Sequence, residues 1–118
     1  MTEDWPVEIR LKDKGATLET SFDSGLTFAL GAEFLRVESP SAEVKGHGPG
    51  QEQLVSGKRH VRISRLEPVG NYAIRIIFDD GHGSGLYTWS YLRELNAKRD
   101  SLWTAYLGRL EAQGRTRG

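Results

Sequence analysis

The chain contains no cysteine. That absence excludes disulfides, thiolate-ligated zinc, cysteine-held iron–sulfur clusters and a thiolate nucleophile. An excess of charge is missing too: 16 basic side chains face 16 acidic ones over 118 residues. Residues 1–60 carry 7 basic and 10 acidic groups and residues 61–118 carry 9 and 6, a difference of −3 against +3. A nucleic-acid-binding surface generally shows as a basic excess, and an imbalance this small is ordinary surface variation. No nucleic-acid partner is expected. No stretch approaches the ~18 apolar residues of a membrane span. The start, Met1-Thr2-Glu3-Asp4-Trp5-Pro6, has no apolar targeting core. The expectation is a cytoplasmic protein with no membrane partner.

The common catalytic signatures are also lacking. His47 is followed by Gly48-Pro49, His60 by Val61-Arg62 and His82 by Gly83-Ser84. The H-x-[DE] pair of a facial-triad iron site therefore does not occur, nor does H-E-x-x-H. Ser84 sits within Gly81-His82-Gly83-Ser84-Gly85, where the glycines have the wrong offsets for a nucleophile elbow. Gly46-His47-Gly48-Pro49-Gly50 lacks the G-K-[ST] ending of a phosphate loop, and Pro49 removes a backbone donor. These exclusions predict a protein that is not an enzyme.

What is present reads as an α+β domain over residues 1–113. Val7, Ile9 and Leu11 alternate with charged residues, Leu18, Thr20 and Phe22 line a second strand, and Leu26, Phe28 and Leu30 a third. Lys14-Gly15 and Asp23-Ser24-Gly25 supply the turns. Gly31–Arg36 reads as one or two helical turns. Residues 38–60, rich in glycine and polar residues, predict a long surface loop. Val61, Ile63 and Leu66 begin another strand, Glu67–Asn71 a turn, and Tyr72–Phe78 a central strand with both faces apolar. Asp79–Gly85 is a glycine-rich hairpin loop returning through Leu86-Tyr87-Thr88. Thr88 and Asp100 are the expected N-caps of two C-terminal helices packed on a mainly antiparallel sheet of hairpin-linked strands. Residues 114–118 predict a disordered tail.

Asp79, Asp80 and His82 form the densest polar group. Carboxylates and an imidazole on one loop can bind a metal. The competing reading is a turn in which an Asp caps backbone N–H groups, glycine takes positive φ, and His82 packs on Trp89 or Tyr87.

The stretch Pro68-Val69-Gly70-Asn71-Tyr72-Ala73-Ile74, followed by Phe78-Asp79-Asp80-Gly81-His82-Gly83-Ser84-Gly85-Leu86-Tyr87-Thr88-Trp89 and Leu92, resembles the gamma-butyrobetaine hydroxylase-like N-terminal domain. Pro6-Val7-Glu8-Ile9, Leu35-Arg36, Ser39–Val44 and Gly46-His47-Gly48 fit its stand-alone bacterial branch, and the resemblance spans roughly residues 6–95. It implies a domain that precedes the oxygenase in carnitine-biosynthesis dioxygenases, occurs alone in bacteria, and is attached to iron–sulfur carrier ATPases. In the oxygenase branch the domain binds zinc through three cysteines just after the Leu-Arg pair and the histidine of the D-G-H string. In register from Leu35-Arg36 those cysteine positions fall on Ser39, Ser41 and Val44, and His82 matches the fourth ligand. Hydroxyls and a valine do not replace thiolates, so the resemblance implies a lost site with His82 as its remnant and no cofactor.

The resulting expectation is a non-catalytic accessory domain that contacts a protein partner, such as an oxygenase or an iron–sulfur carrier. The 38–60 loop and the Asp79–Gly85 hairpin are its expected contact surface. The alternative is a zinc- or iron-binding protein using His82 with Asp79, Asp80, Glu38, Glu43 or His47, and a third reading is a small enzyme with an unrecognised site.

Overall fold

The computed structural model describes residues 5–41 and 54–118. Glu43, Val44, His47 and the Gly46–Gly50 run lie outside the described residues. The α+β class holds, with the strands shared between two antiparallel sheets of three. The first sheet contains β1 (Pro6–Lys12), β2 (Thr17–Phe22) and β3 (Thr27–Gly31) in that order, followed by the short helix α1 (Ala32–Val37). The second contains β4 (Ile63–Val69), β5 (Ala73–Phe78) and β6 (Leu86–Thr88), and leads into α2 (Trp89–Ala97) and α3 (Arg99–Ala112). No helix among the described residues is long and apolar enough to cross a membrane.

Period-two patterning carries the two central strands. In β2, Leu18, Thr20 and Phe22 all face inward, and β5 buries Ile74, Ile76 and Phe78 on one side and Ala73 on the other. These side chains meet Phe28, Leu30, Leu35, Tyr87, Leu92 and Leu95 in one core between the sheets and α2. A smaller cluster of Val37, Tyr106 and Leu110 holds α3, with Leu54, Val55 and Trp103 packed against it.

The edge strands depart from the sequence expectations. In β1 a register shift between Pro6 and Glu8 turns Val7 outward, leaving it 65% exposed, and only Ile9 of that stripe packs on the core. A bulge is tolerated because β1 has a neighbour on one side only. β4 runs through Pro68, which pairs with Ile74, so the turn is shorter than the expected Glu67–Asn71 and Tyr72 belongs to it rather than to β5. Proline is compatible with an edge strand, where its missing N–H falls on the unpaired side.

Helix starts differ as well. Thr88 Oγ1 accepts from the Tyr91 N–H at 3.1 Å, the expected cap of α2. Asp100, expected as a cap, lies inside the first turn of α3, whose N-cap is Lys98 without a side-chain bond. Helices α2 and α3 follow each other through that single residue, so no polar linker is left to supply a cap. The 38–60 segment is not wholly a surface loop, because Glu38, Ser39 and Ser41 are buried. Residues 114–118 are not a free tail: the Arg117 guanidinium donates to both carboxylate oxygens of Glu33 at 2.9 and 2.6 Å.

The turn between β1 and β2 packs directly against the second sheet at Gly15. The turn Asp13–Gly15 has three successive positive φ values (54°, 57° and 92°), and the Gly15 Cα lies against the Ile63 backbone at the start of β4.

Candidate functional site

The site is built where the end of α1 meets the β5–β6 hairpin loop. Two phenols hold the α1 side in place. Tyr87 Oη donates to the Leu35 carbonyl at 2.6 Å and Tyr91 Oη to the Glu38 carbonyl at 2.5 Å. Burial drives both phenols well above their usual titration range, so they remain donors at any physiological pH. The chain leaving α1 is thereby pinned against β6 and α2, and Ser39 and Ser41 follow at once.

The loop side is held by its own turn chemistry. The His82 N–H donates to Asp80 Oδ1 at 3.0 Å, Phe78 N donates to the His82 carbonyl at 2.9 Å, and Gly81 takes φ of 92°. This is the turn reading of Asp79–Gly85, with Asp80 as the capping residue. Asp79 Oδ1 accepts instead from the Arg62 N–H at 3.1 Å and fixes the loop to the approach of β4. The His82 ring lies tilted against Phe78, with ring centroids 6.1 Å apart.

The two sides meet at His82 Nε2. Ser39 Oγ lies 2.9 Å from it and Ser41 Oγ 3.3 Å, and the two hydroxyls are 3.3 Å from each other. All three residues are buried, Ser39 completely. Gly85 makes the approach possible, since a Cβ there would stand 2.5 Å from Ser39 Oγ and 3.3 Å from Pro40. The structure thus brings together three of the four positions that the resemblance aligned with zinc ligands. The fourth, Val44, falls outside the described residues, as do Glu43 and His47.

The carboxylates of the loop are engaged elsewhere. Asp80 Oδ2 accepts from Arg36 Nε at 2.8 Å and from Lys58 Nζ at 2.7 Å. Burial works against the Asp80 charge, but Lys58, the His82 N–H and Arg36 outweigh it and hold the carboxyl at about 2, below the ordinary 3.8. Because the folded value is the lower one, this ion cluster stabilises the fold fully above pH ~4 and is lost as pH falls toward 2. Discounted for solvent screening, its contribution is about 1 kcal/mol. Urea titrations at pH 5 and pH 2.5 are expected to show that loss in the wild type and a smaller one in Asp80→Asn. Equal acid sensitivity in both would disprove it. Arg36 and Lys58 had no sequence signal as partners of Asp80, because they lie 44 and 22 residues from it along the chain.

The donor set defines what the site can do. A Ser–His pair at 2.9 Å has the spacing of a nucleophile and its base, but Ser39 is fully buried and offers no face to a substrate. Structural zinc takes sulfur, imidazole or carboxylate at ~2.0–2.3 Å. The described donors around Nε2 are neutral hydroxyls at hydrogen-bond distances, which do not fit zinc. Among the described residues no group of three or more His, Asp and Glu side chains is arranged to hold a metal ion.

Fold and site together define a small α+β domain whose buried histidine ties a helix end to a hairpin loop. The chain belongs to the gamma-butyrobetaine hydroxylase-like, N-terminal domain family, whose model matches residues 9–93. Two proteins solved in solution by NMR are similar to it over nearly the whole chain. One is 46% identical with a TM-score of 0.83, covering 99% of this chain and 90% of that one. The other is 45% identical with a TM-score of 0.82, covering 98% and 91%. A crystal structure of a protein of unknown function in the DUF971 family, from Acidithiobacillus ferrooxidans, is 41% identical with a TM-score of 0.65, covering 78% and 92%. No curated protein matches the chain.

Proposed function

We propose that this chain is a non-catalytic accessory domain that works by contacting a protein partner, an oxygenase or an iron–sulfur carrier being the kinds its family resemblance suggests. One observation carries the reading. At the place where the resemblance puts a metal site, His82, Ser39 and Ser41 are buried and bonded to one another, leaving neither an open ligand position nor a reachable nucleophile among the described residues. A site closed in this way serves the shape of the surface above it.

Two measurements on the purified full chain test the proposal. Elemental analysis of wild type and His82→Ala is expected to show no stoichiometric metal in either. Cross-linked affinity capture is expected to return a specific oxygenase or iron–sulfur carrier. Stoichiometric zinc or iron in the wild type that disappears in His82→Ala, with no specific partner captured, would replace this reading by a metal-binding one.

A further inference from the structure

The end of the chain is seated in a groove built from three separate segments. Gly57 N donates to the Thr116 carbonyl at 3.0 Å and Arg59 N to the Arg117 carbonyl at 2.8 Å, so residues 57–59 hold the tail by its main chain. The Arg117 guanidinium forks onto Glu33 of α1, with Nε to Oε2 at 2.9 Å and Nη2 to Oε1 at 2.6 Å. The same group lies over the Trp103 ring of α3, 5.2 Å from its centroid. Trp103 is braced edge-on by Phe34 and packed against Tyr106. Arg115 Nη1 adds a bond to the Leu54 carbonyl at 2.7 Å.

The elements of this groove are those of arginine recognition. A forked carboxylate reads the planar guanidinium, an aromatic face stacks on it, and exposed backbone groups align an extended segment. The Glu33 side chain is only 11% exposed, so its carboxylate depends on the guanidinium for compensation, whereas Arg117 keeps 35% exposure. The receptor half is thus the fixed half, carried by two helices, and the ligand half is a short segment outside any helix or strand. An open cleft of about 350 Å³ shares Glu33, Phe34 and Trp103 with this groove and is lined further by Gly31, Arg99 and Asp100.

We propose that this groove recognises an extended, arginine-bearing segment of a partner protein, and that residues 114–118 occupy it in cis as a competitor. The source of that segment rests on the accessory-domain reading; the chemistry of the groove does not. Charge and geometry select the occupant. A lysine cannot fork onto Glu33, and an acidic segment would be repelled by it.

The test uses the full chain carrying Arg117→Ala, titrated with the capped peptide Gly-Arg-Thr-Arg-Gly and followed by amide shifts and tryptophan fluorescence. Saturable binding is expected, with shifts at Glu33, Gly57, Arg59 and Trp103. Wild type, whose own tail competes, should bind at least tenfold more weakly, and Arg117→Ala combined with Glu33→Gln should lose binding. If Arg117→Ala does not fold, Arg117→Lys keeps the charge without the fork and replaces it. Peptide binding that is absent, or equal in wild type and variant, would overturn the proposal. So would a dimer of wild type at these concentrations formed by tail exchange, which would make a second copy the occupant. Failure here leaves the partner-capture experiment standing, and failure of capture leaves the measured peptide affinity standing.

Discussion

Combining Ser39→Cys, Ser41→Cys and Val44→Cys is expected to produce a variant that takes up stoichiometric zinc, in contrast to the wild type. Two of the three positions already meet His82 Nε2, at 2.9 and 3.3 Å. With metal–ligand distances of ~2.0–2.3 Å, tetrahedral donors stand about 3.5–3.8 Å apart, so the side chains have to separate by less than about 1 Å. The place of Val44 comes from the family resemblance alone. Structural zinc sites release about 10–16 kcal/mol on binding in small peptides near neutral pH. Even a fraction of that would raise Tm by about 10 °C or more, an increase that a chelator should reverse. Elemental analysis and a thermal melt with and without EDTA are the measurements. Adding His82→Ala to the variant should remove most of the affinity. A folded triple variant free of zinc would show that the alignment of Ser39, Ser41 and Val44 with the family's ligands is wrong.

Gly15→Ala is expected to cost about 3 kcal/mol of stability, read as a lower urea midpoint at unchanged slope. Two effects combine. A side chain at φ of 92° leaves the favourable region, at a cost of about 1–2 kcal/mol. Its Cβ would also collide with the Ile63 carbonyl oxygen and stand 3.2 Å from the Ile63 nitrogen, both rigid backbone atoms of β4. Such overpacking adds about 1–3 kcal/mol. Gly25 is the control: its φ is 96°, but a Cβ there meets nothing within 4 Å. Gly25→Ala should therefore lose only the backbone part. Equal losses at the two glycines would mean that the sheets do not meet at Gly15.

Local chemistry was readable in the sequence. The inward faces of β2 and β5 follow a strict period of two, and the Thr88 cap is set by the three residues after it. The α+β class and the family followed from those elements and from the D-G-H string. Features decided by distant residues were not readable. Pro68 reads as a turn until β4 is known to be an edge strand, and Val7 reads as core until the bulge is seen. A Gly-Arg tail reads as disorder because its partner, Glu33, lies 84 residues away. In the site, the meeting of Ser39, Ser41 and His82 was anticipated through the resemblance. The removal of Asp80 from that site by Arg36 and Lys58 was not, since nothing in composition or spacing pairs them.

The closed histidine cluster also bears on the order in which the chain folds. Each sheet is made of hairpins between neighbours in sequence, which close small loops and form quickly. The bonds Ser39–His82, Arg36–Asp80 and Tyr87–Leu35 span 43, 44 and 52 residues. They repay their loop-closure entropy only after both sheets have docked, which places them late, on the native side of the folding barrier. Substitutions there are therefore expected to steepen the loss of native protein over time, through faster unfolding, while refolding keeps its rate. Stopped-flow kinetics of Ser39→Ala would show it. The helix end and the loop, which the family resemblance would have joined through sulfur and zinc, are here joined by hydroxyls, and their removal is expected to shorten the life of the folded state.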